Sequence, residues 1–203
     1  NLTGTAAEIT TAVGNVDTFS GTPTATLSNA HTLAQLKTIN TELSGTLSLN
    51  DYSVALAGDA ADIKAALDGT FAAAYTGNVS IDDANGTSIA AADISTIAGD
   101  TSGTVTVSTN INLTGTSAAI ATAVGDVNTF SGTPTATLGD AHTLAQLKTI
   151  NDAISGTITL NSSSVALSGT SAQVAGALNG LSNYSGTITL SDAATVTQMT
   201  TID

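Results

Sequence analysis

The chain has 203 residues, 16 acidic and 3 basic side chains, a formal net charge of −13, no cysteine, no tryptophan and 3% aromatics. With only Lys37, Lys64 and Lys148 on the basic side, repulsion sets nucleic acid and anionic membranes aside as partners. The missing cysteines exclude disulfides and thiolate chemistry. A hydrophobic fraction of 41% in a regular pattern argues against disorder, and no apolar run reaches the length of a membrane span, so membrane insertion is not expected.

The sequence repeats. The run NLTGTAAEITTAVGNVDTFSGTPTATL from Asn1 returns from Asn112 as NLTGTSAAIATAVGDVNTFSGTPTATL; HTLAQLKTIN occurs at His31 and again at His142; VALAGDAADIKAALDG at Val54 is matched by VALSGTSAQVAGALNG at Val165. A shorter period of about 54 residues lies inside the long one, and periods of this length signal a repeat array. The units run about 1-44, 45-102, 103-155 and 156-203, and the whole of 1-203 is expected to be a single solenoid fragment.

In chain order, strand-like pieces end at Leu2, Leu27, Leu49, Leu56, Ile81, Val107, Leu113, Leu138, Leu160, Leu167 and Leu190. They alternate: in Thr157-Ile158-Thr159-Leu160 the apolar residues face one way and the threonines the other. Between them the period becomes helical, with the stripes Leu33, Leu36, Ile39, Leu43 and Leu144, Leu147, Ile150, Ile154. Asn29, Asp59, Ser117, Asp140, Ser171 and Asp192 stand where helices begin and are read as N-caps. Ser20-Gly21, Ser131-Gly132, Ser155-Gly156 and Ser185-Gly186 follow helices, where a left-handed glycine stops the turn. The extra residues of the second unit, Asp82 to Ser88, are read as a longer surface loop. The short link Asn161-Ser162-Ser163-Ser164 fits an arc, a hairpin loop or a bend, whereas unbroken alternation from Val105 to Leu113 favours one bent strand.

Helices between strands supply the crossovers that parallel pairing needs, and such crossovers are right-handed. The expected fold is therefore α/β: a right-handed solenoid of stacked strand-helix coils, with a mainly parallel sheet on one side and helices on the other.

No constellation of catalytic, metal-ligating or cofactor-binding residues stands out, and the chain is not expected to be an enzyme. His31 and His142 read as polar first-turn residues. Asp82 and Asp83 read as a solvated loop with a helix cap. The feature with most binding potential is the outward face of the strands. Thr24/Thr26, Thr104/Thr106, Thr135/Thr137, Thr157/Thr159 and Thr187/Thr189 each place two hydroxyls there, and stacking about 4.8 Å apart would align them. Such ladders resemble those of ice-binding β-solenoids, although Ala55 and Ala166 interrupt them.

Composition and the pattern of SGT, strand, cap and helix, as in SGTITLSDAATVTQMTTID from Ser185, are similar to those of giant secreted repeat proteins of bacterial surfaces: adhesins, and motility-associated or envelope proteins of marine cyanobacteria. The resemblance implies a cell-surface, extracellular location and a structural role as spacer or adhesive rod. Implied partners are neighbouring repeats and a surface glycan or protein. An ice- or crystal-binding solenoid using the threonine ladders is the alternative. The terminal segments lack polar capping repeats, so head-to-tail pairing of copies is also expected, opposed by the net charge and strengthened by salt.

Overall fold

A computed structural model of the chain describes residues 1–203. Strands of two to four residues, single or in consecutive pairs, are separated by helices of seven to ten. In order they are β1 (Leu2–Gly4), α1 (Ala6–Gly14), β2 (Ala25–Leu27), α2 (Leu33–Glu42), β3 (Leu47–Ser48), β4 (Leu56–Gly58), α3 (Ala60–Leu67), β5 (Val79–Ile81), β6 (Ser88–Ala90), α4 (Ala91–Asp100), β7 (Val105–Val107), β8 (Asn112–Gly115), α5 (Ser117–Asp126), β9 (Thr129–Phe130), β10 (Thr135–Leu138), α6 (Leu144–Ala153), β11 (Ile158–Thr159), β12 (Leu167–Gly169), α7 (Ser171–Leu178), β13 (Ile188–Leu190) and α8 (Val196–Ile202).

The contacts divide the chain into two compact units, Asn1–Asp83 with Ser95–Ser108, and Ala84–Ile94 with Thr109–Asp203. In the first, β1, β2 and β3 pair in that order, and so do β4, β5 and β7. In the second, one sheet has the order β11-β10-β8-β6 and another joins β12 to β13. Every one of these pairings is parallel, as expected where a helix lies between paired strands.

The protein is thus α/β with eight helices and parallel strands, but the expectation of one mainly parallel sheet is corrected: the strands fall into several sheets. The short links are the cause, because each carries the chain out of one sheet and into another. β11 and β12 lie in different sheets, so Asn161 to Ser164 is an arc. Val105 to Leu113 is likewise not one bent strand. Ser108 to Ile111 separates β7 from β8, with Ser108 N–H spent on Ile81 O at 2.9 Å. The Asp82 to Ser88 insertion is only partly loop, since Ser88–Ala90 forms β6 and pairs with β8.

The core follows the two predicted periods. Ala25 and Leu27 are buried while Thr26 between them is exposed, and Val79 and Ile81 are buried with Ser80 partly so. Leu36, Ile39 and Leu43 are buried along α2, and Leu147, Ile150 and Ile154 along α6. Burying each such side chain contributes about 1.5–3 kcal/mol. Helices pack on their chain neighbours: α1 on α2 and α2 on α3 in the first unit, and α5 through α8 in succession in the second.

Helix starts depart from the sequence reading. The N-caps are Thr5, Thr32, Thr116, Thr143, Thr170 and Thr195, each accepting from a backbone N–H three residues on. Of the expected caps only Asp59 holds the position, and its side chain makes no capping bond. Ser117 and Ser171 are first helical residues, and Asn29, Asp140 and Asp192 serve a different helix, described below. The Ser-Gly glycines are corrected too. Gly21 is left-handed at φ 85°, but a Cβ on Gly156 would stand 2.5 Å from Pro134 O, and one on Gly186 1.9 Å from Val165 O. Those two glycines are required by the close approach of the backbone at Pro134 and Val165, not by a helix stop.

Candidate functional site: strand rows and the clasps behind them

Parallel register brings some predicted threonines together and separates others. Thr137 lies opposite both Thr114 and Thr159, and Thr135 opposite Asn112, which in turn faces Ser88. Thr157, just before β11, belongs to this group, its carbonyl accepting from Ala136 N–H at 3.1 Å. Thr26 lies between Thr3 and Ser48 in another sheet, and Thr24 bonds Asn1 Oδ1 at 3.1 Å. Thr106 faces Ser80, which faces Ala57; Thr104 N–H is held by Asn78 Oδ1 at 3.0 Å. Thr189 faces Ser168, and Thr187 O accepts from Leu167 N–H at 2.9 Å.

The longest row, Thr114, Thr137 and Thr159, ends at Ala90. Two of its own hydroxyls, and that of the adjoining Thr135, are not free. Thr135 and Thr137 both donate to Asn112 Oδ1, at 3.1 and 3.2 Å, Asn112 Nδ2 donates to Ser88 Oγ at 3.2 Å, and Thr114 donates to Ile89 O at 3.2 Å. These donors already have partners in the sheet, so the row stitches strands together before it offers anything to a ligand.

Behind the strands lies a second recurring arrangement that the sequence reading missed. Asn29, Asp83, Asp140 and Asp192 do not cap the helix that follows them. Each reaches back 21 to 23 residues to accept from the first N–H of a preceding helix: Ala6 at 2.8 Å, Ala60 at 2.7 Å, Ser117 at 2.6 Å and Ser171 at 2.6 Å. All four helices so held, α1, α3, α5 and α7, have a free N-terminal donor that would otherwise need water. Asp83 is consequently buried, not part of a solvated loop. The Ser117 N–H and hydroxyl hold the Asp140 carboxyl below its usual range.

Two of these helices are held at the other end as well. Asn40 Nδ2 donates to Ala66 O of α3, and Asn151 Nδ2 to Gly176 O of α7 at 2.8 Å. Across the same helix pair Lys37 Nζ meets Asp62 Oδ1 at 2.5 Å.

The histidines complete the pattern. His31 and His142 precede the caps Thr32 and Thr143 and are buried, 4% and 3% exposed, which corrects their reading as polar first-turn residues. His31 Nε2 lies 3.2 Å from Tyr75 Oη, which donates to Val54 O at 2.6 Å; His142 Nε2 lies 2.9 Å from Tyr184 Oη, which donates to Val165 O at 2.7 Å. A phenol has one hydrogen, so each ring must carry its proton on Nε2. Nδ1 of both rings is buried without a partner. Burial lowers both imidazole pKa values, offset in part by Asp51 near His31 and Asp140 near His142, and burial raises both phenols. The signal for this lock was present as Tyr75-Thr76-Gly77 and Tyr184-Ser185-Gly186, each near the middle of the unit that follows a histidine.

No three His, Cys, Asp or Glu side chains converge as metal ligands. An open groove of about 830 Å³ in the second unit is lined by polar groups including Asn151, Ser155, Asn179 and Asn183, and its one carboxylate, Asp152, is paired with Lys148 at 2.5 Å. No helix is long and apolar enough to cross a membrane. No family model, curated protein or solved structure matches the chain.

Proposed function

We propose that the coils are successive turns of a right-handed α/β solenoid, and that the chain is a structural repeat segment of a large extracellular surface protein, acting as spacer or adhesive rod. The observation that carries this reading is that the Asx clasps, the His-Tyr lock and the Asn clasp recur at matching positions in both long copies. The Asx clasp occurs four times, and the His-Tyr lock and the Asn clasp occur once in each long copy. Such a plan grows by duplication without a new fold, which is what a length-setting protein needs. An acidic, cysteine-free chain suits secretion without oxidative folding. Partners on this reading are neighbouring repeats and a surface glycan or protein. The test is antibody labelling of intact cells carrying the parent protein, followed by protease shaving. Labelling that shaving removes is the expected result; labelling only after lysis would count against a surface role.

A second reading, an ice- or crystal-binding face, draws on the in-register row Thr114, Thr137 and Thr159. It is the weaker one because the hydroxyls of Thr114, Thr135 and Thr137 are already bonded within the sheet. Thermal hysteresis measured on the isolated chain separates the two, and none is expected.

A further inference from the structure

Helices α3 and α7 are copies, each followed by a loop that runs to the lock tyrosine, but the loops differ in length: eight residues from Asp68 to Tyr75, six from Asn179 to Tyr184. The longer loop does more than connect. Its residues 70–72 lie along the outer edge of β3, with Phe71 bridged to Leu47 in parallel, Leu47 N–H donating to Thr70 O at 2.8 Å and Ala72 N–H donating to Leu47 O at 3.0 Å. The Phe71 ring lies 6.0 Å from that of Tyr75. Ile158 of β11 is the counterpart of Leu47, and there the edge is bare. Ala136 N–H donates to Thr157 O at 3.1 Å in the pairing of β10 with β11, so the N–H and C=O of Ile158 point away from β10, and neither has a hydrogen-bond partner. Ile158 is 7% exposed, and backbone polar groups of so buried a residue are rarely left unpaired. The counterpart segment is present but runs elsewhere. Two residues shorter, it cuts from α7 to Tyr184 through two left-handed residues, Gly180 at φ 75° and Asn183 at φ 64°. A second ring is missing as well, because Ser163 stands where Tyr52 stands in the first copy. The result is the groove of about 830 Å³, lined by Ser155, Ile158, Ser163, Asn179 and Ser182 among others.

We propose that this groove binds an extended peptide segment of the type Thr-Phe-Ala, which adds as a parallel strand to the free edge of β11. The choice of a peptide follows from the first copy, where the chain's own Thr70-Phe71-Ala72 occupies the corresponding edge. The bound segment accepts from Ile158 N–H, donates to Ile158 O, and lays its aromatic ring against Tyr184 as Phe71 lies against Tyr75. Main-chain bonds then supply the affinity and the ring supplies the selection, the division of labour found in strand addition. A neutral segment suits the groove because its one carboxylate, Asp152, is already paired with Lys148. The first copy cannot take the same ligand, since its edge is filled. The inference stands on the difference between the two copies and is independent of the rod and of its cellular location.

The test is an amide NMR titration of the isotope-labelled chain with acetyl-Gly-Thr-Phe-Ala-Ala-amide, the sequence of residues 69–73. The expected result is a saturable shift of the Ile158 amide with a Kd of about 0.1–1 mM, and none at the Leu47 amide, whose partner is already in place. Methylating the peptide nitrogen that follows phenylalanine removes the donor to Ile158 O and should weaken binding at least about fivefold. Replacing that phenylalanine by alanine should act in the same direction. Exchanging residues 179–184 for the longer sequence DGTFAAAY of 68–75 should close the groove, so that the peptide no longer binds and the Ile158 amide exchanges more slowly. Ser163→Tyr fills the groove from the opposite wall without touching the loop and should weaken the peptide as well, which keeps the test open if the exchanged loop does not fold. An Ile158 amide unmoved by about 10 mM peptide, binding indifferent to the methylation, or an Ile158 amide that responds to maltotetraose and not to the peptide would overturn the proposal.

Discussion

His31 Nε2 and Tyr75 Oη, 44 residues apart in sequence, are joined at 3.2 Å in a buried pair whose copy is His142 and Tyr184. The tyrosine hydrogen is committed to a carbonyl, so the ring is neutral, with Nδ1 facing no acceptor. Protonation would place an unpaired N–H⁺ in the interior. The folded pKa is therefore below the ordinary 6.5 for both rings. Above that value neither state binds the proton; as pH falls below it the unfolded chain is protonated first, and stability declines until the lowered folded pKa is reached. Melting temperature should drop between pH 7 and 5, and the His31→Phe/His142→Phe double variant should lose most of that slope. An equal slope in the variant would refute the lock as its source.

Tyr75→Phe removes the donor to Val54 O and the acceptor of His31 Nε2 together. Two buried polar groups then lack partners, and the expected cost is about 1–3 kcal/mol by urea unfolding. Tyr184→Phe should act in the same direction.

The Asx clasps predict losses at side chains that look like ordinary loop residues. Asn29→Ala and Asp83→Ala should each cost about 1 kcal/mol, the value of a helix N-terminal acceptor, while amide exchange at Ala6 or Ala60 speeds up. Asn29→Asp should stabilise α1, since a carboxylate suits a helix N-terminus. The lowered Asp140 pKa acts in the same direction as the histidines but in a more acidic window: its contribution is complete above the usual carboxylate range and is lost as pH falls through the depressed value.

Two glycines should respond in opposite directions to the same change. Gly186→Ala drives a Cβ into Val165 O and should destabilise by about 1–3 kcal/mol. Gly125 lies within α5 with nothing near its Cβ position, so Gly125→Ala should stabilise by about 0.5–1 kcal/mol. Thermal unfolding of the two variants side by side checks both.

Class and core were legible because they depend on local period. Alternation around Thr26 and the stripe Leu144, Leu147, Ile150, Ile154 marked the buried faces correctly. What escaped was the identity of polar partners. Asp140 sits three residues before Thr143, so both qualify as caps, and only the position of the neighbouring helix α5 decides that Asp140 serves Ser117 while Thr143 caps its own helix. His142 was misread for the same reason, because its partner Tyr184 is 42 residues away. The division into several sheets was hidden in the short links, where Asn161 to Ser164 has no period to read. Which threonines share a row, and which hydroxyls are already bonded, depends on register alone: Thr137 lies beside Thr114, and Thr135 beside Asn112.

The central claim is that these coils stack to set length. Small-angle X-ray scattering on tandem polypeptides carrying one, two and three copies of the 203-residue sequence addresses it most directly. The account predicts that the maximum dimension rises in equal steps with copy number while the cross-sectional radius stays constant. A maximum dimension that grows only as the cube root of mass, with a thickening cross-section, would contradict it.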